Sequence, residues 1–259
     1  MKSLTQYLNQ DVLRQFLNLF AILAAFGINV WANVAPPSGL SIGEISNTLF
    51  REVQITPANY AFAIWGIIYL GLITFGIYQI LPAQRHDACL RRVSYLLVVA
   101  SLAQIAWVFL FQYQRFVLSV VAMLGILLPL IGIYLRLGIG SRRVSRQKKW
   151  YVHIPLSIYL AWISVATILN VAIALYDLDW NGWGIDPQSW TVIALFVAAA
   201  ITATAIAQRQ DLAFSLVIVW AFVAIAVRHI DTVLISGTAG GLAIALLLFS
   251  FLKNSVNST

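Results

Sequence analysis

Charge is what this sequence has least of. Of its 259 residues, 16 are Lys or Arg and 9 are Asp or Glu, so 10% are charged while 61% are hydrophobic. A soluble domain has about 25% charged and roughly 45–50% apolar residues. So few charges cannot cover a folded surface of this size, which excludes a water-soluble globular protein, and the apolar excess excludes a disordered chain. Cysteine is nearly missing as well. Cys89 stands alone, so no internal disulfide framework exists. The three histidines, His86, His153 and His229, are scattered, and no two share a metal-ligand spacing. No phosphate-cradling glycine loop and no G-x-S-x-G elbow occurs. Ionisable groups are missing from the middle of the apolar runs, where a pump or ion-coupled transporter buries them. These absences argue against an enzyme, a metal centre and an ion carrier.

What is present is apolar sequence in long runs. A hydrocarbon core about 30 Å thick takes about 20 apolar residues per helix. Eight runs answer to this: Val12–Trp31, Tyr60–Leu81, Val93–Phe111, Phe116–Leu135, Val152–Tyr176, Trp190–Ala207, Leu212–Val227 and Thr232–Leu252. They are continuous rather than alternating, so they read as helices and not as barrel strands. The first is too long for a signal-peptide core of about 7–15 residues and reads as a true span. Pro36–Pro37, Thr56–Pro57, Gly138, Gly140 and the stretch from Asn181 to Pro187 punctuate the runs. The expected fold is an all-α polytopic transmembrane bundle.

The formal net charge of +7 then becomes a map of orientation. With the N-terminus in the cytoplasm, 13 basic residues fall on that side and only Arg51, Arg115 and Arg228 on the other. Both termini are expected on the cytoplasmic side of a plasma or thylakoid-type membrane. The cluster Arg142, Arg143, Arg146, Lys148 and Lys149 reads as a topology anchor against anionic lipid, not as a nucleic-acid site. Arg228, His229 and Asp231 read as an interfacial salt-bridge group.

Within the spans, aromatic and amide side chains recur at helical spacing. Phe62, Trp65 and Tyr69 share a face of the second run, and Gln104, Trp107 and Phe111 one of the third. Pro155, Tyr159, Trp162, Ala166 and Asn170 line one face of the fifth. Such stripes serve either helix packing or a ligand. Asn29, Gln104 and Asn170 each bury an amide that needs a partner in hydrocarbon, and mid-span tryptophans offer flat faces and N–H donors to an aromatic ligand.

These residues resemble the TspO/MBR family, the tryptophan-rich sensory proteins and mitochondrial translocator proteins. The resemblance rests on Pro57 followed by Trp65 and Tyr69, on Gln104-Ile-Ala-Trp107 with glutamine where the family has asparagine, and on Pro155, Tyr159, Trp162, Ala166 and Asn170. It covers residues 12–176, after a cytoplasmic N-terminus of residues 1–11. It implies five helices around a pocket for porphyrins, haem precursors, sterols or synthetic aromatics, lidded by the first loop. The site residues it implies are Trp65, Tyr69, Gln104, Trp107, Tyr159, Trp162, Ala166 and Asn170, with Trp31 and Pro57 near the lid. The bound group it implies is a tetrapyrrole or a lipid.

Residues 177–189 form an acidic, tryptophan-rich outer loop, and residues 190–259 add about three helices and a short cytoplasmic tail. Gly237 and Gly241 make a small-x-x-x-small face, which either packs within the chain or docks another subunit. The function expected is a membrane receptor or carrier for a flat hydrophobic ligand, most of all a tetrapyrrole. The alternative is a structural or accessory subunit of a larger, pigment-containing membrane complex, or a homodimer. A light-dependent modification of porphyrins by the indoles stands third.

Overall fold

A computed structural model describes residues 4–256. All eight apolar runs are helices. They are α1 (Leu4–Val34), α3 (Ile64–Ile80, entered through a 3₁₀ turn Asn59–Ala63), α5 (Leu96–Gln112), α6 (Phe116–Leu137), α8 (Ile154–Asp177), α9 (Pro187–Arg209), α10 (Leu212–Arg228) and α11 (Val233–Val256). Three short helices lie between them: α2 (Ile42–Thr48) in the first loop, α4 (Ala88–Val93), and the single turn α7 (Arg146–Lys148). Six helical stretches are long and apolar enough to cross a membrane, while α5 and α10 are shorter apolar helices of 17 residues, about 25 Å each. The chain is an integral, multi-pass membrane protein.

The termini of these helices follow local chemistry. Asp186 caps α9 by accepting from Ser189 N, with Pro187 at the first helical position, and Asp211 caps α10 by accepting from Phe214 N. Gly138 ends α6 in the left-handed region. A π-helical turn, Lys149–His153, leads into α8 just before Pro155.

Side-chain volume closes the helices into two groups. α1 packs on α3 and α5, α5 on α6, α6 on α8, and α8 back on α3, a closed ring of five. Phe75, Phe111, Met123, Ile126, Leu130 and Ile133 fill its interior. Gly71 lets α3 approach α8: a Cβ there would stand 3.1 Å from the Pro155 ring. The other three helices pack on one another, and α10 docks them onto α8. Asp211 accepts from Ser157 Oγ at 2.5 Å, Trp220 Nε1 donates to Ala61 O, Ala58 N donates to Ala224 O, and Arg209 donates to Ile139 O. Large side chains such as Phe20, Leu70, Val121, Leu128 and Ile244 stay exposed around the outside, as a lipid-facing surface requires.

Two expectations are narrowed and a third changes. Ionisable groups do enter the helices at one end: Arg14 and Asp11, both within α1, are buried, with Arg14 donating to Leu90 O and Asp11 paired with Arg14 and Arg91. They are tolerated because each is paired or hydrogen-bonded. Among the described residues nothing packs on the Gly237/Gly241 face, since a Cβ at either glycine would meet no atom within 4 Å. Arg228, His229 and Asp231 make no ion pair among the described residues; the charge that acts on Arg228 is Arg51, of the same sign. In the outer loop Trp180, Trp183 and Trp190 cluster with ring centroids 5.3–5.9 Å apart.

Candidate functional site

Aromatic side chains from α3, α5 and α8 converge beneath the first loop. The cavity they enclose is lined by Phe62 and Trp65, by Trp107 and Phe111, and by Trp162, Val165, Ala166, Leu169, Asn170 and Ile173. Ile42, Ser46 and Pro57 of the loop close its mouth. The walls are near van der Waals contact, and the cavity measures about 30 Å³. That is room for one or two waters, against pockets of about 300–1,000 Å³ that hold small-molecule ligands.

The wall is built from ring on ring. Trp65 stacks on Tyr69 with centroids 5.6 Å apart and meets Tyr159 edge-on at 6.3 Å. Phe62 stands edge-on to Trp162 at 6.0 Å, and Trp107 stacks on Phe111 at 5.1 Å. Edge-to-face and offset contacts of this kind add about 0.5–1.5 kcal/mol each beyond burial.

Polar atoms in this wall fall into two groups. Trp107 Nε1 donates to Asn170 Oδ1 at 2.6 Å, and Asn170 Nδ2 donates to Ser119 Oγ at 2.8 Å. Both ends of the Asn170 amide and the Trp107 indole are therefore taken by the protein and are not presented to a ligand. The indole N–H groups of Trp65 and Trp162 donate to no acceptor among the described residues. Below them Tyr159 OH donates to Gln104 Oε1 at 3.2 Å, while Gln104 Nε2 is buried without a partner. Tyr69 OH donates to Ala25 O at 3.3 Å.

Of the ten residues singled out in the sequence, Pro57, Trp65, Trp107, Trp162, Ala166 and Asn170 line the cavity. Tyr69, Gln104 and Tyr159 sit behind that lining as a buried support for Trp65. Trp31 does not reach the cavity. It is 41% exposed on α1 and leans on Phe109 at 5.8 Å. Phe62 and Phe111 belong to the same stripes and complete the wall. Ile42 and Ser46 were not singled out, although Ser41-x-x-Glu44 is the capping-box signal that announces a helix there.

That lid is held firmly. Glu44 N donates to Ser41 Oγ and Ser41 N to Glu44 Oε2 at 2.8 Å; these bonds keep the Glu44 carboxyl below its ordinary value. Gln112 of α5 donates to Ala32 O and Leu40 O and accepts from Ser38 Oγ. Among the described residues, no three or more His, Cys, Asp or Glu side chains gather as a metal site.

Fold and site together define a class: a polytopic helical membrane protein with an aromatic cavity closed by its first loop. The model of the family described as "TSPO-like protein" matches residues 15–252. The chain belongs to this TSPO-like family, and the matched region runs through α9, α10 and most of α11. No curated protein and no solved structure matched the chain.

Proposed function

We propose that the protein binds a flat hydrophobic ligand, a tetrapyrrole by preference, in the aromatic cavity, as a membrane receptor or carrier. The observation that carries this reading is the convergence of Phe62, Trp65, Trp107, Phe111 and Trp162 on one cavity with two indole N–H groups left free. Ring faces stack on a macrocycle, and the free donors of Trp65 and Trp162 meet its polar edge. The cavity holds about 30 Å³, so entry of a macrocycle requires the Ile42–Pro57 lid and the facing indoles to part. Porphyrin quenching of tryptophan fluorescence in detergent tests this. Trp162→Phe and Trp65→Phe each weaken binding by about three- to tenfold; unchanged affinity in both variants sinks the assignment.

The same reading makes the protein a binder rather than a catalyst. Light-dependent loss of bound porphyrin that requires Trp65 or Trp162 would overturn that. We further assign the cation-rich end, with Arg91, Arg142, Arg143 and Lys148, to the cytoplasmic face. A second reading, a subunit of a larger membrane complex, is favoured by the open Gly237/Gly241 face of α11. Purification from native membrane with a stoichiometric partner decides for it.

A further inference from the structure

A second opening is far larger than the aromatic cavity. A cleft of about 1130 Å³ lies where the three C-terminal helices meet the ring, between α3, the start of α8 and the first half of α10. Its length is apolar, with Ile64, Ile67, Ile154, Ile158, Leu216 and Trp220 along the walls. Its mouth, formed by the α6–α7 loop and the π-helical turn, is cationic through Arg142, Arg143 and Lys149. None of these three makes an ion pair among the described residues, whereas the neighbouring Lys148 is held by Asp87 at 2.6 Å. The single acid in the lining, Asp211, already accepts from Ser157 Oγ and from Phe214 N. His153, 6% exposed, also lines the cleft, and its Nε2 is buried with no partner. A buried nitrogen of this kind is costly unless something outside the chain meets it.

We propose that this cleft is a binding site for one anionic phospholipid of the bilayer. The phosphate sits among Arg142, Arg143 and Lys149 with His153 Nε2 donating to or accepting from its polar part, and an acyl chain runs between α3 and α10. Charge complementarity selects the occupant: three unpaired cations at the end of an apolar channel match an anionic head on a hydrocarbon tail. A neutral lipid would leave the cations unmatched, and a free phosphate would leave the apolar walls empty.

The test is native mass spectrometry of the full chain in detergent, titrated with phosphatidylglycerol or with phosphatidylcholine of the same chains. The expected result is one phosphatidylglycerol retained at energies that strip phosphatidylcholine. The triple variant Arg142→Gln, Arg143→Gln, Lys149→Gln weakens that binding on the order of tenfold or more. A control triple, Arg85→Gln, Arg92→Gln, Arg146→Gln, leaves it in place. Ala213→Trp fills the cleft, keeps every cation, and also expels the lipid. Equal retention of the two lipids, equal loss in the control triple, or full retention in Ala213→Trp overturns the proposal. Porphyrin quenching is unchanged in all of these variants, so a failure here is separate from a failure of the aromatic cavity.

Discussion

Asn170 joins three helices through one amide, since Trp107 lies on α5, Ser119 on α6 and Asn170 itself on α8. Asn170→Leu orphans the Trp107 N–H in hydrocarbon, at about 1–3 kcal/mol, and leaves the Ser119 hydroxyl with only its donation to Phe116 O. The expected outcome is a clear fall in melting temperature in detergent, while Ser119→Ala alone costs less. The i, i+4 spacing of Trp162, Ala166 and Asn170 made their shared face legible in the sequence. That Asn170 would choose Trp107 and Ser119 was not legible, because the choice depends on how α5, α6 and α8 rotate against one another. The same limit hid the surroundings of Trp31, which lies at the end of α1, partly exposed and against Phe109. At the cation-rich end, burial raises the Asp87 carboxyl, but the Lys148 ammonium and the Cys89 and Leu90 N–H groups outweigh it and hold the group below the ordinary aspartate value. A lowered pKa contributes stability above the unfolded value near 3.9 and loses it as pH falls further. Acid melting below about pH 4 is therefore expected to soften in Lys148→Gln.

Among the elements, α2 is the one on which access to the cavity turns. It has seven residues, too few to persist without help, and the Ser41–Glu44 capping box supplies that help. Ser41→Ala is expected to speed backbone hydrogen exchange across Ile42–Thr48 by about fivefold and to speed porphyrin entry with it. Acidification that carries the pH below about 4.3 and on through the lowered Glu44 value removes the Glu44 half of the box and acts in the same direction. The eight long helices were legible because a bilayer dictates their length, and most of their ends fall within a few residues of the apolar runs. The short helix escaped because a polar loop carries no such constraint. α7 and the π-helical turn escaped for a related reason: their packing against α3 and Asp87, not their composition, decides their form.

On the scale of the whole molecule, a five-membered ring and a three-helix group meet along α10, and close backbone approach marks the seam. Gly140 has φ +78° and its missing Cβ would stand 2.0 Å from Arg209 O. Gly140→Ala combines a strained left-handed residue with a backbone clash, so a loss of about 1–3 kcal/mol in thermal stability is expected, without effect on porphyrin affinity. Orientation is checked on a Cys89→Ser background: Ser141→Cys should resist a membrane-impermeant thiol reagent in intact cells and react in inverted vesicles. That a ring and a docked group would arise could not be read from hydropathy, which counts spans but does not say which of them touch. The seam also has a mechanical side. Ala58, one residue beyond the Pro57 that closes the cavity, donates its N–H to the carbonyl of Ala224 about one turn from the end of α10. The trailing end of the lid is thus pinned to the C-terminal helices, so opening has to swing from that fixed point. Whatever moves the outer end of α10, such as a subunit gripping α11, pulls on the latch of the aromatic cavity.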